Sequence, residues 1–186
     1  MIRDILLRYT RISRKGPKRM ELKTNVMRIL DKNRINYGRY TYEGGALSGK
    51  DVAESIGKPC EAVYKTLVTE GKSQKYYVFV IPVCCELDLK KAAAAAGEKS
   101  VHMIPQKELL PLTGYVHGGC SPIGMKKPFP TFLHASAEKQ STILFSAGKI
   151  GHQVELSPED LKKVLRFSYA ELTAEEEDTC LLYTSP

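Results

Sequence analysis

The stretch Val63-Tyr64-Lys65-Thr66-Leu67-Val68-Thr69-Glu70-Gly71-Lys72-Ser73-Gln74-Lys75-Tyr76-Tyr77-Val78-Phe79-Val80-Ile81-Pro82-Val83 decides how the chain is read. Val63–Thr69 has the β-branched and aromatic content of a strand, Glu70-Gly71-Lys72-Ser73 is turn chemistry, and Tyr76–Val83 is a second, longer strand. The second strand is apolar almost throughout, as in strands covered on both faces, so it is predicted to lie centrally in a sheet. The first alternates: Val63, Lys65 and Leu67 share one face, Tyr64, Thr66 and Val68 the other. A lysine between apolar neighbours needs solvent, a partner or a ligand for its ammonium. Lys65 is therefore either a snorkelling edge residue or a ligand-binding cation on a cavity wall.

Upstream, Leu22, Val26, Ile29 and Leu30 line one face of a helix that Asn33 ends, and Tyr37–Tyr42 reads as a strand closed by Gly44-Gly45. Ser48 with Asp51 three residues later resembles a capping box, opening a helix through Val52, Ala53 and Ile56 that Gly57 and Pro59 stop. Downstream, Leu87–Ala96 is an alanine-rich helix with Asp88 near its start and Gly97 at its end. Val101–Ile104 is a short strand, Gln106–Leu110 a turn or two of helix before Pro111, and Tyr115–His117 a strand. Phe129–His134, Thr142–Ser146 and His152–Leu156 are further strands. Ser157-Pro158-Glu159-Asp160 is a strong helix start leading to Leu161, Val164 and Leu165. About seven strands and four or five helices without strict βαβ alternation predict an α+β domain with a mixed sheet.

Gly118-Gly119-Cys120-Ser121-Pro122-Ile123-Gly124-Met125-Lys126-Lys127 is the second informative stretch. Three glycines let backbone N–H groups approach a ligand, Pro122 limits flexing, and two lysines follow, which suits an anionic or strongly polar ligand. By itself the stretch reads first as a surface turn with a solvated lysine pair, because glycine-rich loops are common. It matches neither the phosphate-loop nor the dinucleotide pattern.

Charge is unevenly spread. Of the net +7, residues 1–19 carry +6, residues 171–186 carry −5, and residues 20–170 keep +6. That basic balance is compatible with RNA without establishing it. Residues 1–19 read as a basic extension outside the fold, with Met20 as the start of a domain over 20–170. Residues 171–186 read as an acidic tail whose last seven residues have the look of a translated sequencing-adapter scar. The five cysteines (60, 84, 85, 120, 180) have no CxxC spacing and the four histidines no close ligand pair, which points to a reducing compartment and to no metal site. With no run approaching a membrane helix, the expected location is the cytoplasm.

Several short motifs in fixed order then carry a resemblance: Thr41-Tyr42-Glu43, Val63-Tyr64-Lys65-Thr66-Leu67, Leu87-Asp88-Leu89-Lys90-Lys91, Thr113-Gly114-Tyr115 before the glycine loop, Lys126-Lys127, and Ser146-Ala147-Gly148-Lys149. Over about residues 22–170 the chain resembles the YbaK/EbsC family of aminoacyl-tRNA deacylases, related to the editing domain of bacterial prolyl-tRNA synthetases. The resemblance implies an α+β fold on a mixed, partly barrel-like sheet with surrounding helices. It also implies cleavage of the ester of mischarged tRNA, chiefly cysteine on tRNA(Pro) and also cysteinyl-tRNA(Cys), without metal or cofactor and with the substrate thiol assisting.

On this resemblance Lys65 and Gly118 are catalytic, while Tyr42, Gly119, Ser121, Pro122, Gly124 and Ser146 bind substrate. Lys126, Lys127 and Lys149 are expected to contact tRNA phosphates, and prolyl-tRNA synthetase is an expected partner. A lysine and backbone N–H groups can stabilise the oxyanion that develops on an ester carbonyl. The chain departs from the family in having Gln153 where members carry an aspartate, and Cys120 where the loop usually has a plain apolar residue. Three alternatives stay open: another amino acid such as alanine on tRNA(Pro), Cys120 as a nucleophile with His117 as base, and a non-catalytic tRNA- or synthetase-binding module.

Overall fold

The hairpin forms as its sequence dictates. In the computed structural model, which describes residues 23–174, β2 (Tyr64–Gly71) pairs antiparallel with β3 (Tyr76–Pro82) in the register Tyr64↔Pro82 to Glu70↔Tyr76. β3 is the middle strand of a five-stranded sheet in the order β4-β2-β3-β5-β8. Here β4 is Val101–Met103, β5 Thr131–His134 and β8 Ser168–Ala170; β5 runs parallel to both its neighbours, so the sheet is mixed.

The two faces of β3 feed two cores. Val78 and Val80 pack with Tyr64, Val68 and Leu133 toward Val26, Met27 and Leu30 of helix α1 (Asn25–Lys32) and Leu109 of helix α4 (Gln106–Thr113). Tyr77, Phe79 and Ile81 face Ala92 and Ala93 of helix α3 (Leu89–Ala96), whose small side chains let it approach the sheet. Phe79 and Ile81 are fully buried, and burial of such a side chain is worth ~1.5–3 kcal/mol. A three-stranded antiparallel sheet, β1 (Gly38–Thr41), β7 (His152–Leu156) and β6 (Ile143–Ser146) in that order, adds Phe145 and Val154 to the first core. Helix α2 (Gly49–Ser55) begins as its cap predicts, with Ser48 Oγ accepting from Asp51 N. Helix α5 (Pro158–Leu161) follows β7.

The mixed α+β expectation holds. The two sheets meet at a single parallel bridge, Val63↔Leu144, and among the described residues no closed barrel forms. The differences have local causes. α4 runs through Pro111, because beyond that one missing N–H the helix is held by Thr113 Oγ1 donating to Leu109 O (2.7 Å) and Gly114 N to Leu110 O (2.9 Å). Tyr115–His117 is not a strand: Tyr115 N donates to Thr113 Oγ1, its hydroxyl to Ile123 O, and Gly119 N to Val116 O, which folds the segment into an arch. α5 tightens after one turn. β8 was not expected, and the chain packs on past residue 170: Leu172 is fully buried in the α3 core and Thr173 O accepts from Lys91 Nζ at 2.8 Å. Residues 1–19, Leu22 and the tail from 175 onward lie outside the described residues, as does the scar reading.

Candidate active site

Strand alternation assembles the site. Tyr40 and Ser146 both stand opposite Gln153 on the central strand β7, so Tyr40, Tyr42, Ser146 and Gln153 share one face of the three-stranded sheet. The Val63↔Leu144 bridge continues that face onto β2 and adds Lys65, two residues beyond Val63. Lys65 of the hairpin and four residues of the second sheet, distant in sequence, are thereby aligned.

A cavity of about 480 Å³ opens along this face. Its walls include Tyr42, Lys65, His117, Gly118, Cys120, Ser146 and Gln153, the run from Val63 to Val68 in β2, and the start of α2 with Leu47, Ser48, Gly49 and Val52. Met103, Ile104, Gln106 and Leu109 complete the far side. α2 lies tight against the end of β3: a Cβ added to Gly49 would fall 2.6 Å from Val83 Cγ1.

The glycine loop is held by Ala46 and Ile150. Gly118 has φ +80°, and a Cβ there would fall 2.9 Å from the Ala46 Cβ; a Cβ on Gly119 would fall 3.0 Å from Ile150 N. Gly151 approaches Tyr42, whose N–H donates to Gly151 O at 3.0 Å. Loops 44–49, 118–124 and 148–151 thus pack together, and of them Leu47, Ser48, Gly49, Gly118 and Cys120 reach the cavity.

Of the expected site residues, Lys65, Gly118, Tyr42 and Ser146 line the cavity. Gly119, Ser121, Pro122 and Gly124 do not; they support the loop from behind. The Gly119 N–H is spent on Val116 O. Ser121 is fully buried with its Oγ accepting from Ile123 N, Pro122 is buried, and Gly124 packs where any Cβ would meet Ile29, Asn25 and Tyr115. Lys126, Lys127 and Lys149 are exposed outside the cavity, with Lys126 Nζ 3.4 Å from Pro111 O and 3.5 Å from Leu110 O at the end of α4.

Lys65 Nζ is 2.9 Å from Glu86 Oε1, the lysine partly buried and the glutamate in solvent. Ser146 Oγ accepts from Gly148 N at 3.3 Å. Gln153 Oε1 and Thr66 Oγ1 are buried without a hydrogen-bond partner, and both residues line the cavity. An orphaned buried acceptor is costly, and a ligand donor that meets it recovers that cost. Gln153 was noticeable in sequence only as a departure from a family pattern, and Thr66 only as a neighbour of Lys65. Burial pushes the Cys120 thiol up to about 12, an environment that keeps it protonated and un-nucleophilic.

Further along the same face, Glu155 receives the Tyr40 hydroxyl (2.5 Å), the Thr142 hydroxyl (2.7 Å) and the Lys58 ammonium (3.1 Å). Burial works to raise its carboxyl, but these three donors outweigh it and hold Glu155 below the usual range. The network ties β1, β6 and β7 to the segment after α2.

The sequence model of the aminoacyl-tRNA editing domain family matches residues 44–164, which contain every cavity-lining residue but Tyr42. A protein of Enterococcus faecalis (strain ATCC 700802 / V583) named "Putative Cys-tRNA(Pro)/Cys-tRNA(Cys) deacylase EbsC" is 45% identical over 161 residues, covering 86% of this chain and 98% of that protein. Among solved structures, a "putative trans-editing enzyme for prolyl tRNA synthetase" superposes with a TM-score of 0.72 at 22% identity, over 80% of this chain and 94% of the other. The hypothetical protein APE2540 does so with a TM-score of 0.70 at 18% identity, over 78% and 97%. At those identities the two structures speak for the fold.

Proposed function

This chain belongs to the aminoacyl-tRNA editing domain family, and from that premise we propose that it is a trans-editing deacylase. Its substrate is mischarged tRNA, with the ester of cysteine on tRNA(Pro) cleaved first and cysteinyl-tRNA(Cys) also cleaved. The observation that carries this reading is a cavity with a lysine on its wall whose one lining cysteine among the described residues, Cys120, is held protonated by burial.

Such a site favours a substrate that brings its own nucleophile. The cysteinyl thiol attacks its own ester carbonyl, a sulfur–carbon bond forms, the acyl carbon–oxygen bond breaks, and the thiol proton ends on the 3′ oxygen of the departing tRNA. The four-membered thiolactone left behind hydrolyses in water. The protein's part is positioning and charge stabilisation, for which Lys65 is the available cation and the Gly118 turn the close backbone. Tyr42 and Ser146 are suited to orient the aminoacyl-adenosine end. Lys126, Lys127 and Lys149, all exposed, are suited to phosphates further along the acceptor arm. A partnership with prolyl-tRNA synthetase would supply tRNA identity, and work of this kind belongs with the cytoplasmic tRNA pool.

One observation favours a second reading of the specificity. Gln153 presents a neutral amide where the family pattern has a carboxylate, and it lines the cavity, which supports an altered amino-acid preference such as alanine. Release of amino acid from Cys-tRNA(Pro), Ala-tRNA(Pro) and Pro-tRNA(Pro) by the full chain and by Lys65→Ala tests both. Cleavage of the cysteinyl ester alone, lost in the variant, is the expected result. Cleavage of the alanyl ester moves the specificity, and binding of tRNA without any cleavage makes the protein a binding module.

A further inference from the structure

The strand that carries Lys65 is paired along only part of its second edge. β4 meets β2 at Thr69, Glu70 and Gly71, and Ile104 N reaches Val68 O at 3.3 Å. The next position would need a continuing strand, but Pro105 intervenes and the chain turns into α4 at Gln106. At the other end the edge is met again at the Val63↔Leu144 bridge. Between these points, among the described residues, no strand pairs with β2, although β6 lies alongside it at the bridge.

Which groups face that gap follows from the hairpin. Val83 N donates to Val63 O and Gly71 N to Lys75 O, so the odd-numbered residues of β2 exchange hydrogen bonds with β3. The main-chain groups of Thr66 therefore point away from β3, toward the interrupted edge, as the bond from Ile104 to Val68 O confirms for the neighbouring even position. Tyr64 to Val68 line the cavity, and the Thr66 Oγ1 beside this gap is itself buried without a partner. A donor and an acceptor of one peptide residue are thus turned into the site. Left unpaired, such groups cost as much as lost hydrogen bonds.

Taking the deacylase reading as given, we infer that the aminoacyl group of the substrate docks on Thr66 as a single added strand residue: its α-amino group donates to Thr66 C=O, and its ester carbonyl accepts from Thr66 N–H. The size of the gap selects this occupant. An extended peptide pairs over several alternate residues, whereas the pairing here is interrupted around one position. An aminoacyl ester is one residue long and carries the matching amine and carbonyl. The contact is blind to the amino-acid side chain, which leaves discrimination to the other walls, and it demands an unblocked α-amino group. The Thr66 N–H would join Lys65 in meeting the charge that grows on the carbonyl oxygen.

The test uses the full chain, ¹⁵N-labelled, with the amide-linked analogue 3′-cysteinylamino-3′-deoxyadenosine and its N-acetyl form. At saturation with the free amine, exchange of the Thr66 amide is expected to slow about tenfold or more. The Leu67 amide, already bonded within the hairpin, should change less than about twofold. Blocking the amine should weaken binding about tenfold or more, the scale of one hydrogen bond to a charged group. Unchanged Thr66 exchange with the analogue bound, equal affinity for both forms, or no binding at millimolar analogue would each overturn the docking. Turnover of Cys-tRNA(Pro) is scored separately: protection of Thr66 without turnover removes the deacylase reading and leaves the docking, and turnover without protection does the reverse.

Discussion

The ammonium of Lys65 lies 2.9 Å from the carboxylate of Glu86, which is itself out in solvent. An ion pair with one member so exposed is worth little, ~0–1 kcal/mol, and is readily exchanged for a ligand anion. Glu86→Gln should therefore leave the thermal midpoint nearly unchanged and cleavage of Cys-tRNA(Pro) within about twofold of the parent protein. Lys65→Ala should lower kcat about 10²-fold or more with the fold intact by circular dichroism, the scale of losing one oxyanion-stabilising group. Full activity in that variant would remove Lys65 from the site.

Gly118 tests the loop geometry. Its φ of +80° and the 2.9 Å approach to Ala46 leave no room for a side chain. Gly118→Ala should cost ~1–3 kcal/mol in urea unfolding and shift the cavity wall. Activity should fall about tenfold or more, because small displacements are expensive in positioning. An active, equally stable variant would show that the wall yields.

Cys120 should be dispensable for chemistry. With its thiol pushed up to about 12 by burial, Cys120→Ala is expected to keep kcat/KM within a few-fold of the parent, and iodoacetamide at neutral pH should leave activity intact. Loss of kcat about 10³-fold with unchanged KM would instead revive the nucleophile reading.

Acid stability should follow Glu155 and His134. Glu155 is held below its ordinary range in the folded protein, so the stability it contributes is present above about 4.5, the unfolded value, and is lost as pH falls through the lower folded value. Burial keeps His134 preferentially neutral, its Nδ1 2.8 Å from Ser136 Oγ and its Nε2 3.1 Å from Thr173 Oγ1. Its folded value is lowered, so the unfolded chain takes the proton first and stability declines as pH drops below about 6.5. Urea titrations from pH 7 to pH 3 should show both losses. Glu155→Gln should be ~1–3 kcal/mol less stable at pH 7 and show a shallower decline below pH 5; an unchanged pH profile would contradict the assignment.

Salt should report the phosphate contacts. If Lys126, Lys127 and Lys149 meet the acceptor arm, the logarithm of tRNA affinity falls linearly with the logarithm of salt concentration, and each neutralisation to Gln flattens that slope by roughly 0.7–0.9. A slope that stays the same in the triple variant would move the tRNA track elsewhere.

Local chemistry was legible in the sequence. The caps at Ser48, Asp88 and Ser157, the αL stop at Gly97 and the all-apolar β3 follow from side-chain rules acting within a few residues, and the structure has them. Alternation alone put Lys65 on one face of β2, and motif order pointed to Tyr42, Gly118 and Ser146. β8 was missed because a three-residue parallel edge strand gains its hydrogen bonds from β5 and leaves little periodicity to read. Only the tertiary structure decided which face Lys65 shares and with whom. The Val63↔Leu144 bridge joins segments some eighty residues apart and brings Lys65, Ser146 and Gln153 to one cavity. The same packing sent Ser121 and Pro122 behind the wall and spent the Gly119 N–H on the chain itself. Spacing along a chain fixes periodicity and caps, but which groups are left unpaired inside is settled only when distant strands meet or, as at Pro105, fail to.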